Sequence, residues 1–188
     1  PSLPDLPETE WTTMRISRRA DSSLSTSISF DELPGVDTHA IWHPERIDVL
    51  SLERTKWHRS NVHEVVFRGQ PAITKIARWA HEIPRVQNET MAYATTSHYQ
   101  SQHPNEPPIA PKFLGHLTEN GRVMGLLLEK VEGRFASIED QDKCEEAVRR
   151  LHRIGLIHGD VNRYNFLIAL DGTVRMVDFE HVEDLDDE

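Results

Sequence analysis

Three polar residues near the C-terminal end of the chain are spaced around a strong β-hairpin signal. Asp160 and Asn165 lie five residues apart, and Asp178 follows thirteen residues after Asn165. Between them, residues 166–168 predict a strand, Asp171-Gly172 predicts a tight turn, and the apolar residues that follow predict a returning strand. Because the two strands of a hairpin begin and end side by side, we expect Asp178 to lie beside Asn165.

These residue types match the chemistry of phosphoryl transfer from ATP. In such sites one carboxylate receives the proton of the acceptor hydroxyl, while an amide oxygen and a second carboxylate hold magnesium ions. We therefore assign Asp160 as the catalytic carboxylate and Asn165 and Asp178 as the metal-binding residues. ATP and Mg²⁺ are the expected cofactors, and His158 is expected to brace the loop through hydrogen bonds.

An upstream strand and helix offer a lysine and a carboxylate that can pair. Residues 71–75 predict a strand that ends at Lys75, and Glu89 follows fourteen residues later in a predicted helix. Val86, Glu89 and Tyr93 are spaced i, i+3 and i+7, so Glu89 shares the inward face of that helix with apolar neighbours. A carboxylate on such a face needs a cationic partner, and Lys75 is the predicted one.

In this order, these segments resemble the protein-kinase-like superfamily from about residue 41 to residue 180. His-Gly-Asp and Asp-Phe-Glu, in place of His-Arg-Asp and Asp-Phe-Gly, are more similar to aminoglycoside and choline phosphotransferases and to small atypical kinases of the RIO type. The resemblance implies an α+β, bilobal protein-kinase-like fold. Its N-lobe would be a five-stranded antiparallel sheet with one helix, and its C-lobe would be truncated.

The resemblance also implies roles for single residues. Lys75 would grip the α- and β-phosphates, and Glu89 would orient Lys75. The segment GLLLEKVEG resembles the strand and hinge between the two kinase lobes, where the Glu129 carbonyl and the Val131 amide would hydrogen-bond adenine. Arg163 is the nearest cation that could neutralise the transferred group.

Composition and pattern divide the chain into four expected segments. Residues 1–38, rich in Pro and Ser, form a flexible arm, and residues 39–132 form the N-lobe and hinge. Residues 133–182 form a minimal C-lobe with the catalytic and metal-binding loops, and residues 183–188 form an acidic tail. The strands expected in the N-lobe are residues 47–52, 64–68, 72–76, 109–117 and 123–129.

Charge and cysteine content bound the partners and the compartment. The net charge is −10 and no basic stripe interrupts it, so nucleic acid is not expected as a partner. No apolar run approaches the length of a membrane span, and no membrane association is expected. Cys144 is the single cysteine, which excludes an intrachain disulfide and fits a reducing, cytoplasmic compartment.

The sequence leaves two questions open: how the phosphates are bound, and which molecule accepts the transferred phosphate. Residues 53–63, expected as the turn between the first two strands, contain no glycine, and Arg54, Lys56 and Arg59 there either contact phosphate or form a solvated tip. The helices that usually bind an acceptor are not found in the sequence. The site for a small-molecule or protein hydroxyl would therefore need to be completed by the N-terminal arm, by a protein partner or a second copy of the chain, or by the target itself. The alternative function is a pseudokinase, a nucleotide-binding or scaffolding module.

Overall fold

The computed structural model describes residues 4–185, which divide into two compact units after Pro34. The first unit is built on an antiparallel hairpin of β1 (Thr13–Arg18) and β2 (Leu24–Ser29). The side chain of Asp21 accepts a hydrogen bond from the Ser23 amide at 2.9 Å and shapes the turn between the strands. The segment expected as a flexible arm therefore contains regular structure.

The second unit begins with a six-stranded sheet. Its strands are β3 (Arg46–Asp48), β4 (Glu53–Arg59), β5 (Val62–Phe67), β6 (Gln70–Ile76), β7 (Phe113–Glu119) and β8 (Arg122–Glu129). Their order across the sheet is β3-β7-β8-β6-β5-β4. Neighbouring strands are antiparallel except β3 and β7, which are parallel.

This sheet differs from the five-stranded antiparallel one that was expected. The expected turn of residues 53–63 contains β4, and the true connection to β5 is only Ser60 and Asn61. All seven residues of β4 are exposed, so the apolar–polar alternation that identifies a strand is missing. The strand expected at residues 47–52 ends instead at Asp48, whose side chain caps a short 3₁₀ turn. Charged edge strands such as β4 are common because they discourage pairing with other chains.

The long helix α1 (Ile83–Gln102) follows the sheet and has Pro84 in its first turn. Its inward face is the one predicted from the sequence, because Val86, Glu89 and Tyr93 are all buried. The helix packs against β8 and against a 3₁₀ turn at Phe179–His181. It thereby carries Glu89 to the segment that follows the C-terminal hairpin.

The remaining elements form a smaller layer that includes the predicted hairpin. They are β9 (Gly133–Phe135), α2 (Gln141–Arg153), β10 (Leu156–Ile157), β11 (Phe166–Ala169), β12 (Val174–Met176) and β13 (Glu183–Asp184). β11 lies between β12 and β9 in an antiparallel sheet. β13 pairs with β10, so the expected acidic tail starts with a strand. Its residues 186–188 lie outside the described residues.

Two apolar clusters hold the second unit together. One joins α1, β7 and β8 to α2 and the β11–β12 hairpin, and includes the fully buried Tyr93, Leu151 and Phe179. The other joins the six-stranded sheet to the start of α1 and includes Val65 and Leu117. The fold is therefore mixed α+β, as expected. No helix among residues 4–185 is long and apolar enough to span a membrane.

Candidate active site

A cavity of about 250 Å³ collects most of the residues that the sequence singled out. Its lining combines charged and polar side chains with apolar ones. Lys75 contacts Glu89 and Asp178, and these three residues with Asn165 form the charged end of the cavity. The apolar walls include Val62, Ile73, Tyr93, Leu128, Leu167 and Val177, and Glu129 and Val131 line the same cavity.

Lys75 and Glu89 meet at the charged end, as the helical spacing predicted. The Lys75 Nζ atom lies 2.7 Å from Oε2 of Glu89, and both side chains are buried. β6 places Lys75 beside Leu126 of β8, and α1 brings Glu89 across from the other side. A buried carboxylate is tolerated in this position because the lysine neutralises it.

Two further carboxylates share the same lysine. Nζ of Lys75 contacts Oδ1 of Asp178 and lies 2.8 Å from Oε1 of Glu180. Asp178 has a left-handed backbone conformation with φ of 68°, and the buried Phe179 anchors the 3₁₀ turn that follows. This local geometry turns Asp178 and Glu180 towards the lysine. No role was predicted for Glu180, because its approach to Lys75 depends on the left-handed backbone of Asp178 and the 3₁₀ turn after it.

Three carboxylates share the buried Lys75 in this cluster, and the exposed Arg59 and Arg85 contact Asp178 and Glu180 respectively. Burial alone would lower the pKa of Lys75, but Glu89, Asp178 and Glu180 outweigh burial and raise that pKa. Burial raises the pKa of Glu89, and Lys75 offsets only part of the effect. Burial also acts to raise the pKa of Asp178, but Lys75 and then Arg59 outweigh it and lower that pKa. The Asp178 carboxylate is therefore held in its ionised form.

This donor set fits a hard divalent cation. One ligand oxygen from each of Glu89, Asp178 and Glu180 lies within 4.8 Å of the others. Mg²⁺ prefers carboxylate, amide and water oxygens, which are the donor types found here. Asn165, which lines the same cavity, offers an amide oxygen, because its Nδ2 atom already donates elsewhere.

The loop before β11 orients the predicted catalytic carboxylate. Nδ2 of Asn165 donates to the Asp160 carbonyl at 2.9 Å and to Oδ2 of Asp160 at 3.1 Å. The Asn162 side chain donates to the same Oδ2 at 3.2 Å. Asn165 is buried whereas Asp160 is exposed, so the loop fixes the carboxylate and leaves it open to an incoming group. The backbone amide of Val177 donates to the Asn165 carbonyl at 3.0 Å, which brings the end of the hairpin beside Asn165 as expected.

His158 and Gly159 support this loop from behind. The ring Nε2 of the buried His158 hydrogen-bonds the Val177 carbonyl at 3.0 Å. Burial lowers the pKa of His158, although the Val177 carbonyl acts in the opposite direction, so the imidazole is neutral and serves as a brace. Gly159 has φ of 73°, and a Cβ atom there would lie 2.0 Å from the His181 carbonyl oxygen. Glycine is therefore required at this position.

Arg163 is not turned towards the carboxylate cluster. Its guanidinium lies 4.5 Å from the centre of the Tyr164 ring and donates to the Tyr164 hydroxyl at 2.6 Å. Tyr164 and Phe135 line the mouth of the cavity and pack edge to face at 5.6 Å. These two aromatic residues were not predicted from the sequence, because nothing in their local pattern separates them from ordinary apolar positions.

Comparison with curated proteins finds two distant relatives. Two probable LIM domain-containing serine/threonine-protein kinases of Dictyostelium discoideum are each 26% identical to this chain in an alignment of 129 residues. Each alignment covers 63% of this chain. The similarity points to a distant kinase relationship. The chain spans 20% of the length of one relative and 13% of the other. No family model matches the sequence.

Proposed function

We propose that the chain is an ATP- and Mg²⁺-dependent phosphotransferase of bilobal, protein-kinase-like architecture. The observation that carries this proposal is that Lys75, Glu89, Asn165 and Asp178 line one cavity, with Asp160 hydrogen-bonded to Asn165. The remote similarity to serine/threonine kinases supports the same chemistry. The γ-phosphate would move to a hydroxyl on a small molecule or a protein.

The mixed charged and apolar lining of the cavity suits a nucleotide. The flat adenine ring would lie between apolar side chains such as Val62, Ile73 and Leu167, where burial of apolar surface favours binding. The Glu129 carbonyl and the Val131 amide would hydrogen-bond the edge of the base. The triphosphate would then extend towards Lys75 at the charged end.

The chemistry that we propose assigns one step to each group. Asp160 accepts the proton of the acceptor hydroxyl as its oxygen attacks the γ-phosphorus atom, and the bond from that phosphorus to the β,γ-bridging oxygen breaks. Lys75, oriented by Glu89, stabilises negative charge on the phosphates. Bound Mg²⁺, held by Asn165 and Asp178, would neutralise the developing charge. Glu180 is an additional carboxylate that can reach the metal, and Arg163 could contribute only after leaving Tyr164.

Substitution of Asp160 tests this proposal most simply. Asp160→Asn keeps the size of the side chain but removes the proton acceptor, so phosphoryl transfer from labelled ATP should fall by about 100-fold or more. Nucleotide affinity should stay close to that of the parent. Asp142→Asn, an exposed change in the first turn of α2, is the matched control. Unchanged transfer by the Asp160 variant would refute the assignment.

The same assay identifies the acceptor class. Labelled ATP is incubated with the purified protein alone and then with a cell extract separated by size. Label on the protein itself would indicate autophosphorylation, and label in the small-molecule fraction would indicate a metabolite kinase. Label on an extract protein would indicate a protein acceptor, the case in which a partner completes the site.

A pseudokinase is the second candidate, and one observation favours it. Nζ of Lys75, which would have to grip phosphate, contacts Asp178 and Glu180 in addition to Glu89. A module that used this arrangement only to hold its fold would bind a partner and transfer no phosphate. In that case the Asp160→Asn variant and the parent would both be inactive.

A further inference from the structure

The geometry of β4 distinguishes three of its cations whose roles the sequence alone does not separate. Two bulges in β4, one between Arg54 and Lys56 and one between Trp57 and Arg59, change the direction of successive side chains. Of the three cations Arg54, Lys56 and Arg59, Arg59 alone lines the cavity. The strand therefore presents one of its cations to the charged end of the site.

Arg59 already contacts a proposed metal ligand across the cavity. Its Nη1 atom lies 3.4 Å from Oδ2 of Asp178, while the other oxygen of that carboxylate contacts Lys75. The Arg59 side chain is 63% exposed, so its guanidinium is free to move. If Arg59 moved away, Asp178 would keep its contact with Lys75. A competing anion can therefore bind Arg59 without leaving the Asp178 carboxylate unpaired.

The neighbouring histidine is less suited to receive an anion. His58 also lines the cavity, but its Nε2 atom lies 3.6 Å from Oε2 of Glu64. Glu64 is shared with Lys130, whose Nζ atom lies 3.2 Å from Oε1. A phosphate beside either residue would approach one carboxylate, Glu64 or Asp178, but a guanidinium is always charged and offers several donors, which an imidazole does not.

We propose that Arg59 is a second phosphate-binding side chain of this site, in addition to Lys75, and that it exchanges Asp178 for the terminal phosphates when a nucleotide binds. The role rests on the proposed function. The two-residue connection of Ser60 and Asn61 has no glycine, so it cannot bring unobstructed backbone amides close to the phosphates. A guanidinium supplies the same donors in a planar fork that matches phosphate oxygens. Its departure frees one oxygen of Asp178 for the metal.

The test compares Arg59→Gln with a control that removes more charge from the same strand. Dissociation constants for Mg²⁺–ATP and for adenosine are measured by calorimetry for the parent, for Arg59→Gln and for the double variant Arg54→Gln/Lys56→Gln. Loss of a charge-assisted phosphate contact should weaken ATP binding about tenfold in Arg59→Gln. Adenosine has no phosphate, so its affinity should change less than about twofold, and the double variant should bind ATP like the parent.

Each outcome bears on the proposal. Parent-like ATP binding by Arg59→Gln overturns it, and so does an equal loss of ATP binding in the double variant, because that would reflect general surface charge. An equal loss of ATP and adenosine also overturns it, because that would assign Arg59 to the shape of the cavity. If the parent binds neither adenosine nor ATP in these titrations, the proposed function itself fails, and the role of Arg59 fails with it.

Discussion

At the scale of single residues, the candidate site combines charged groups that are paired with one hydroxyl group that has no hydrogen-bond partner among the described residues. Tyr93 is completely buried at the inner wall of the cavity, and its hydroxyl has no hydrogen-bond partner among residues 4–185. Burial raises the pKa of Tyr93 well above its usual value, and Glu89 adds to the effect, so the phenol stays protonated. A buried polar group without a partner costs stability.

Removal of the Tyr93 hydroxyl should therefore stabilise the nucleotide-free protein. Tyr93→Phe keeps the ring contacts with Phe113 and Phe179 and should raise the free energy of unfolding by about 1 kcal/mol, measured with urea. Tyr99→Phe is the control on the same helix, because the Tyr99 hydroxyl donates to Oε2 of Glu106 at 3.1 Å. Tyr99→Phe should not raise the free energy of unfolding. A Tyr93→Phe variant less stable than the parent would contradict this account.

The sequence predicted some of these residues and missed others for identifiable reasons. The pairing of Lys75 with Glu89 followed from the helical spacing of Val86, Glu89 and Tyr93, since a carboxylate among apolar neighbours must find a cation. Contacts of Glu180 depend on the left-handed backbone of Asp178, a conformation that is uncommon even for aspartate, although aspartate adopts it more often than most residues. The contact of Arg163 with Tyr164 is a choice between side-chain partners, which spacing does not determine.

At the scale of elements, the loop between β10 and β11 depends on close packing against the turn at Phe179–His181. Gly159 approaches the His181 carbonyl so closely that any side chain would displace one of the two segments. Since Asp160 follows Gly159 directly and Asp178 precedes the turn, this packing sets the relation between the proposed catalytic carboxylate and a proposed metal ligand. The glycine in the sequence His-Gly-Asp thus has a structural cause.

A pair of glycine substitutions separates this packing from backbone strain. Gly159 and Gly172 have nearly equal positive φ angles of 73° and 79°, but a Cβ atom at Gly172 would meet nothing closer than 3.8 Å. Gly172→Ala should cost about 1 kcal/mol in the free energy of unfolding. Gly159→Ala adds a backbone clash and should cost about 3 kcal/mol or more, with loss of transfer activity. Equal costs for the two variants would show that the contact with His181 is not tight.

Elements with clear local signals were predicted, and those defined by pairing were not. The β11–β12 hairpin was predicted because Asp171-Gly172 is a strong turn signal between two apolar strands. The edge strand β4 was missed because every one of its residues is exposed and its register contains two bulges. Only the hydrogen bonds to β5 identify it as a strand. The phosphate-binding role proposed for Arg59 depends on that register.

At the scale of the whole molecule, the charge balance makes the metal central to the proposal. The chain has a net charge of −10, and three carboxylates contact Lys75, although two exposed arginines, Arg59 and Arg85, each contact one of them. Free ATP, which is an anion, would be repelled by the overall charge and by each carboxylate that its phosphates approach. Beyond about 10 Å the overall field is screened by salt, so the carboxylates beside the phosphates dominate. A divalent cation between phosphates and carboxylates reverses this repulsion.

Metal-dependent nucleotide binding is therefore the most direct test of the central claim. Melting curves are recorded for the parent and for Asp178→Asn with ATP, in the presence and absence of Mg²⁺. For the parent, ATP with Mg²⁺ at about 100 times the dissociation constant should add about 2.7 kcal/mol of stability, and ATP alone should add much less. Asp178→Asn should lose most of the increment that depends on Mg²⁺. Absence of a shift in the parent under both conditions, or an equal shift with and without Mg²⁺, would contradict the claim that this cavity binds a metal–nucleotide complex.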